Sequence, residues 1–224
     1  LVSALNLQKS GLRTVIHPTF ETMKIYFATL LFGSAYLVSS PAFSLEPCEP
    51  ADAYVSGLNT IIDNAVGQQP QMALTVIPSF RPEYGIRMVG NDVYLVQLKT
   101  SFWGGSVVSV GPGQYRHDFS SPHVEAVAVH KAALSPELAD RIKQQYAAAI
   151  SGAKPSDNMG LDGVTYRFNL QTAGCGQTWS PQSGTPDGQL VELAELLSEH
   201  AQLSWSFFIH RSEEKILTHM SHMK

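Results

Sequence analysis

Along residues 51–66 the apolar side chains fall at Tyr54, Leu58, Ile61, Ile62 and Ala65, the spacing of one helix face, and Gly67 stands where such a helix stops. After the break GQQPQ the pattern shortens to MALTVI at 72–77, whose β-branched residues and terminating Pro78 predict a strand. The stretch YGIRMVGNDVYLVQLKTSFW predicts a hairpin. Gly90-Asn91-Asp92 supplies the turn, and Tyr94, Val96 and Leu98 alternate with Leu95, Gln97 and Lys99. The second set turns polar only at its far end, so one side of the hairpin is buried and the other partly covered.

Residues 104–122 are rich in Gly, Ser and Pro and predict a long loop with a short element over Ser106–Val110; such loops are disproportionately mobile or functional. HVEAVAVHK at 123–131 reads as a central strand. Ser135-Pro136-Glu137 opens a helix with Ser135 as N-cap, and Leu138, Ile142, Tyr146, Ala149 and Ile150 form its apolar stripe up to Gly152. A second hairpin follows the Asp162-Gly163 turn. Val164, Tyr166, Phe168 and Leu170 alternate with Thr165, Arg167 and Asn169, and a glycine-rich turn around Cys175 returns the chain through Trp179. Thr185-Pro186 starts a last helix over 186–202 with Leu190, Leu193, Ala194, Leu197 and Ala201 inward, and 205–224 reads as a C-terminal tail. Two hairpins and single strands, without repeated βαβ units, predict an α+β fold. It is a single domain over 45–204, a mainly antiparallel sheet of about five to six strands with about three helices on one face.

The first residues differ in character. Residues 1–22 contain no Met and no sustained apolar period, and read as an upstream extension. Met23-Lys24, the apolar IYFATLLFGSAYLVSS and then PAFS compose a signal peptide over 23–44. Ala42 and Ser44 sit at its cleavage site, which predicts a periplasmic or secreted protein. A spanning helix is the competing reading, but the run reaches about 18 residues only with Gly and Ser counted, near the lower limit for a span, and Pro41 follows it. No stable membrane insertion of the mature chain is expected. The chain carries 15 Lys and Arg against 19 Asp and Glu, a net charge of −4 with no basic block. That balance excludes the electrostatic footprint of a nucleic-acid binder and of an anionic-lipid binder.

The two cysteines, Cys48 and Cys175, both follow the signal segment. In an oxidising compartment an even, minimal count predicts one bridge, stapling the N-terminal arm to the second hairpin and contributing up to about 4–5 kcal/mol. The rival reading, Cys175 as a nucleophile, needs a histidine or helix N-terminus beside it to depress the thiol pKa, and the local stretch offers neither.

The densest ionisable cluster is YRHDFSSPHVEAVAVH. His117, Asp118, His123 and Glu125 suit zinc or a similar borderline cation, whereas His130 falls on the opposite strand face. Architectural histidines with a hydrogen-bonded carboxylate are the other reading of the same residues. The C-terminal HMSHMK is either a soft-metal tail of the kind that holds Cu(I) or a frayed terminus. No nucleophile elbow, phosphate loop or dinucleotide fingerprint is present. Trp103 and Trp179 are either core residues or exposed anchors of a partner surface.

The run GLDGVTYRF, then GQTWSP, then LVELAELL resembles an uncharacterised family of exported bacterial proteins. In that family a D-G-x-x-Y-x-F strand is followed by G-x-T-W-S-P and a leucine-rich helix. The matching positions are Asp162, Gly163, Tyr166, Phe168, Gly176, Thr178, Trp179, Ser180 and Pro181. The resemblance covers about the last third of the chain and implies export, a compact α+β domain and no known activity. Together these features lead to the expectation of an exported, non-enzymatic binding or accessory protein that meets an envelope or secreted protein and needs no cofactor. The alternative expectation is a metal-binding protein or metal-assisted hydrolase using His117, Asp118, His123 and Glu125.

Overall fold

The computed structural model describes residues 45–120, 127–155 and 162–223; the extension and signal segment expected over 1–44 lie outside them. In chain order the elements are β1 (Glu46–Pro47), α1 (Ala53–Val66), β2 (Met72–Pro78), β3 (Tyr84–Val89), β4 (Asp92–Leu98), α2 (Phe102–Gly105), β5 (Val107–Gly111), β6 (Gln114–His117) and β7 (Val127–Ala133). Then come α3 (Pro136–Ser151), β8 (Val164–Leu170), β9 (Gly174–Trp179), α4 (Pro186–Ala201) and α5 (Ser206–His222). The fold is α+β. Seven antiparallel strands form one sheet in the order β1-β9-β8-β2-β3-β4-β7, and β5 and β6 form a separate ribbon.

Strand alternation divides the sheet into two faces. Met72, Leu74, Ile86, Met88, Val93, Leu95, Phe168 and Leu170 point to one side, where α3 and α4 close the larger core and Ile216 of α5 enters it. Tyr94, Val96 and Leu98 point to the other side and meet Leu58 and Ile62 of α1 with Phe102. Helices therefore cover both faces, not one as the sequence led us to expect. The sign was in β4, where every residue from Val93 to Val96 is buried, so neither face of that strand can be left to water.

The local signals act largely as expected. Asp52 caps α1 by accepting from the Val55 N–H at 2.8 Å, and the Gly67 N–H donates to the Asp63 carbonyl at its other end. Thr185 accepts from the Gly188 N–H, with Pro186 in the first turn of α4. Ser135 stands at the N-cap of α3, but its hydroxyl makes no capping bond. Instead its N–H donates to Glu213, which belongs to α5.

Among the described residues five helices replace the expected three, and the strands are more numerous than expected, because the extra elements carry little period. α2 is a single turn, FWGG, and β1 has two residues. The segment beyond 205, read from the sequence as a tail, is α5. Its Leu217, Met220 and Met223 pack on the larger core. Two placements are corrected as well. The strand expected to be central is β7, which among the described residues stands at the sheet edge, paired with β4 from Val127 to Ala133. Cys175 lies within β9, opposite Asn169, and not in the turn.

β1 pairs with Gln177 and Gly176 of β9, and the next residue but one to Glu46 is Cys48, bridged to Cys175 with the Cα atoms 5.4 Å apart. The bridge closes a span of 127 residues. Exchanging both cysteines for serine is expected to lower unfolding stability by about 2–4 kcal/mol, read as a drop in the urea midpoint at unchanged m-value.

His200 is buried on α4 and ties two elements together: its Nε2–H donates to the Ala133 carbonyl at the end of β7, and its Nδ1 accepts from Ser212 of α5. Burial holds its pKa below the ordinary value, against the opposing pull of the Ala133 carbonyl and Glu213. The unfolded chain therefore takes up this proton first as pH falls. The contribution is complete above about pH 6.5 and is lost on descent toward the lower folded pKa. His200→Gln should show a smaller fall in denaturation midpoint than the parent between about pH 7.5 and 5.5.

Candidate functional site

The α1 face of the sheet is polar where it is most central. Arg87 is fully buried on β3, between Ile86 and Met88 that point the other way. Its Nε donates to Asp63 Oδ1 at 2.6 Å. Its Nη1 donates to the Leu74 and Ile86 carbonyls, and its Nη2 to Asn59 Oδ1 and Thr75 Oγ1. All five N–H groups are thus engaged. Burial pulls the guanidinium pKa down, and Asp63 beside it pulls it back up. Gly85 makes room: a Cβ there would stand 2.8 Å from Arg87 Nη1 and 2.9 Å from an Ile62 methyl. A polar cleft of about 430 Å³ opens beside this seam, next to the disulfide. Arg167 crosses it, giving Nη1 to Gln177 Oε1 and Nη2 to the Glu49 carbonyl.

A second buried charge, Glu83, anchors the opposite end of α1. Its carboxylate accepts from Tyr54 Oη at 2.6 Å, from Ser101 Oγ, and from the backbone N–H groups of Phe102 and Trp103. Burial first, and then the hydrogen bond to Glu83, push the Tyr54 phenol well up, so it remains a donor. Glu83 thereby fixes α2 and the aromatic corner above it. Tyr54 touches the rings of Phe102, Trp103 and Phe119. His117 lies with its centroid 4.0 Å from Trp103 and is stacked on Phe119 at 5.5 Å.

The expected metal set divides on this geometry. His117 Nδ1 faces Ser106 Oγ at 2.8 Å, inside the aromatic stack, and Asp118 Oδ1 accepts from the N–H and hydroxyl of Ser120. His123 and Glu125 lie outside the described residues. Among the described residues no group of three or more His, Cys, Asp or Glu is arranged to hold a metal ion. Ser106 and His117 do not form a nucleophile and base. Ser106 is fully buried and its Oγ–H donates to the Trp103 carbonyl, leaving Oγ to accept from the imidazole. Cys175 is in the disulfide, so it offers no thiol. At the C-terminus His219 donates to the Gln189 carbonyl and His222 to the Thr218 carbonyl, while Met220 and Met223 turn to the core.

The two tryptophans singled out in the sequence, Trp103 and Trp179, take different positions. Trp179 lies against the chain at Gly163, where a Cβ would meet its ring carbons at 2.6 Å. Trp103 is 52% exposed and continues onto the β5–β6 ribbon. Pairing of Val107 with His117 and of Ser109 with Tyr115 places these four on one ribbon face, in line with Trp103. Val107 is 44% and Tyr115 70% exposed.

Sequence reasoning missed Arg87 and Glu83. Their signal was available in outline: a lone charge inside an apolar strand, YGIRMV, and a polar pair, Asn59 and Asp63, one helical turn apart on α1. No known protein family, curated protein or solved structure matches this chain. Asp63→Asn should destabilise the protein by about 1–3 kcal/mol, because Arg87 keeps its charge while losing its counter-ion. Equilibrium denaturation at neutral pH measures the loss.

Proposed function

We propose that this chain is an exported binding protein without catalytic chemistry of its own, which engages an envelope or secreted protein through the β5–β6 ribbon. One observation carries the reading: a two-stranded ribbon stands outside the sheet with Trp103, Val107 and Tyr115 open to solvent along one face. A hairpin with neither a third strand nor a covering helix is marginally stable in water. An apolar, aromatic face on such an element has the composition of a recognition surface, where Trp and Tyr supply large contact area at low cost in side-chain freedom.

Export is supported by the signal-like segment over 23–44, by the Cys48–Cys175 bridge and by the resemblance to exported bacterial proteins. No described helix is long and apolar enough to cross a membrane. The buried polar groups support a non-catalytic role, because Arg87, Glu83 and Ser106 are each engaged by the protein itself.

The test is saturable capture of one partner from an envelope fraction, compared between the parent and Tyr115→Ser. Tyr115 is open to solvent, so the substitution should leave the melting temperature within about 1–2 °C while weakening capture at least tenfold. Equal capture by both proteins, or no saturable capture by the parent, would dispose of the ribbon as the binding element.

A further inference from the structure

A cleft of about 740 Å³ opens at one end of the sheet, between the 78–83 loop, β8 and α4. Strand register defines its floor. Val76 lies between Tyr84 of β3 and Tyr166 of β8, and Tyr84 lies beside Gln97 of β4. These four residues form one row across four strands, on the face that carries α4. Pro78, Pro82 and Val164 extend the apolar wall, and Phe80, 82% exposed, stands at the lip. A volume of this size, walled by apolar and aromatic groups with a few convergent polar ones, suits a small organic molecule.

The polar groups decide what kind. Glu83 reaches the cleft but is consumed by its four donors. Asp162, Glu195 and Arg81 remain, and none of the three makes a hydrogen bond or ion pair with another described residue. Glu195 belongs to a ridge of three carboxylates on α4. Glu192 accepts from Ser183 Oγ, and Glu199 is paired with Lys215 Nζ at 2.7 Å. The middle carboxylate is left to face the cleft.

Desolvation, followed by the like charges of Glu192 and Glu199, raises the Glu195 pKa, the signature of a carboxylate in want of a cation. Burial pushes the Tyr84 phenol up to about 12 and moves Tyr166 in the same direction, so both rings stay neutral, each with a π face and an O–H. Neither hydroxyl bonds another described residue. Arg81 opposes this pattern, but two uncommitted carboxylates outnumber the one guanidinium.

We propose that this cleft binds a small ligand carrying a protonated amine on an apolar body, with the ammonium held by the Glu195 carboxylate and the rings of Tyr84 and Tyr166. The apolar body lies along Val76, Val164 and the two prolines. Carboxylate and aromatic faces together form the usual environment for an organic cation, and charge-assisted hydrogen bonds make it selective over a neutral molecule of the same shape.

Three probes of one shape separate the alternatives: 2-phenylethylamine, 2-phenylethanol and phenylacetate, titrated into the purified protein and followed by amide and tyrosine NMR shifts. The amine should bind saturably and at least several-fold more tightly than the alcohol, its affinity falling as salt is raised, with shifts at Tyr84 and Tyr166. Glu195→Gln, at an exposed position of α4, should weaken the amine about tenfold and leave the alcohol unchanged. Equal affinity for amine and alcohol, tighter binding of phenylacetate, no effect of Glu195→Gln or no saturable shift with any probe would each overturn the proposal. None of Glu195, Tyr84 and Tyr166 belongs to the ribbon, so the outcome is independent of the ribbon's partner.

Discussion

A positive charge with no contact to water has to be neutralised where it sits, and the position of Arg87 makes that requirement an organising constraint. Its five donors reach the neighbouring strand β2, the Ile86 carbonyl of its own strand and two side chains of α1. Asp63 and Asn59 stand one helical turn apart and meet the guanidinium together, so their contacts with Arg87 bear on both the register and the rotation of α1 on the strands. An apolar seam would hold the helix with less directional preference; a buried guanidinium paired with a half-exposed carboxylate imposes a direction as well as an attraction. Gly85 belongs to the same arrangement, since a side chain there would displace the guanidinium or Ile62.

With α1 so placed, the second buried charge follows. Tyr54, on the first turn of α1, reaches Glu83, and Glu83 in turn takes two backbone N–H groups of α2. A carboxylate meeting exposed peptide N–H groups is a charge-assisted contact in a water-poor setting. It determines where the chain leaves the sheet after β4 and therefore where Trp103 and the ribbon stand. Glu83 also lies at the edge of the cleft beneath Tyr84 and Glu195. One residue thus joins the wall of a pocket to the root of the exposed ribbon, through hydrogen bonds a few residues long.

Much of this architecture was legible wherever a period is long. The apolar stripe of α1, the alternation of β3 and β4, the capped start of α4 and the Cys48–Cys175 pairing each emerge in the structure near their expected bounds. What escaped were elements whose signal is not periodic. The two residues of β1 have meaning only beside β9, and α2 depends on Ser101 and Glu83 more than on its own FWGG. α5 follows Trp205 and opens with Phe207 and Phe208, all three exposed, so its true stripe at Ile216, Leu217 and Met220 was masked by aromatic residues off the buried face. The candidate site was legible only in part. Trp103 was singled out, but the sequence could not show that His117 lies against its ring, nor that Tyr84, Tyr166 and Glu195 line one cleft, because those three come from separate elements.

The ribbon divides into parts with different physical roles. At its base His117 is held by Ser106 and lies against Trp103 and Phe119, and the Asp118 N–H donates to the Ser106 carbonyl. These contacts tie down a hairpin that has no third strand among the described residues. Toward the tip, Val110 and Tyr115 stand in solvent, each more than half exposed. Side chains that leave more than half of their surface in water draw little from the hydrophobic effect, so these two add little to holding the strands together. Their presence beyond the anchored base places the cost at the end of the ribbon, where a second surface can cover it. His117, one of the four residues that suggested a metal site in the sequence, thus serves as the joint between the anchored root of the ribbon and its exposed tip.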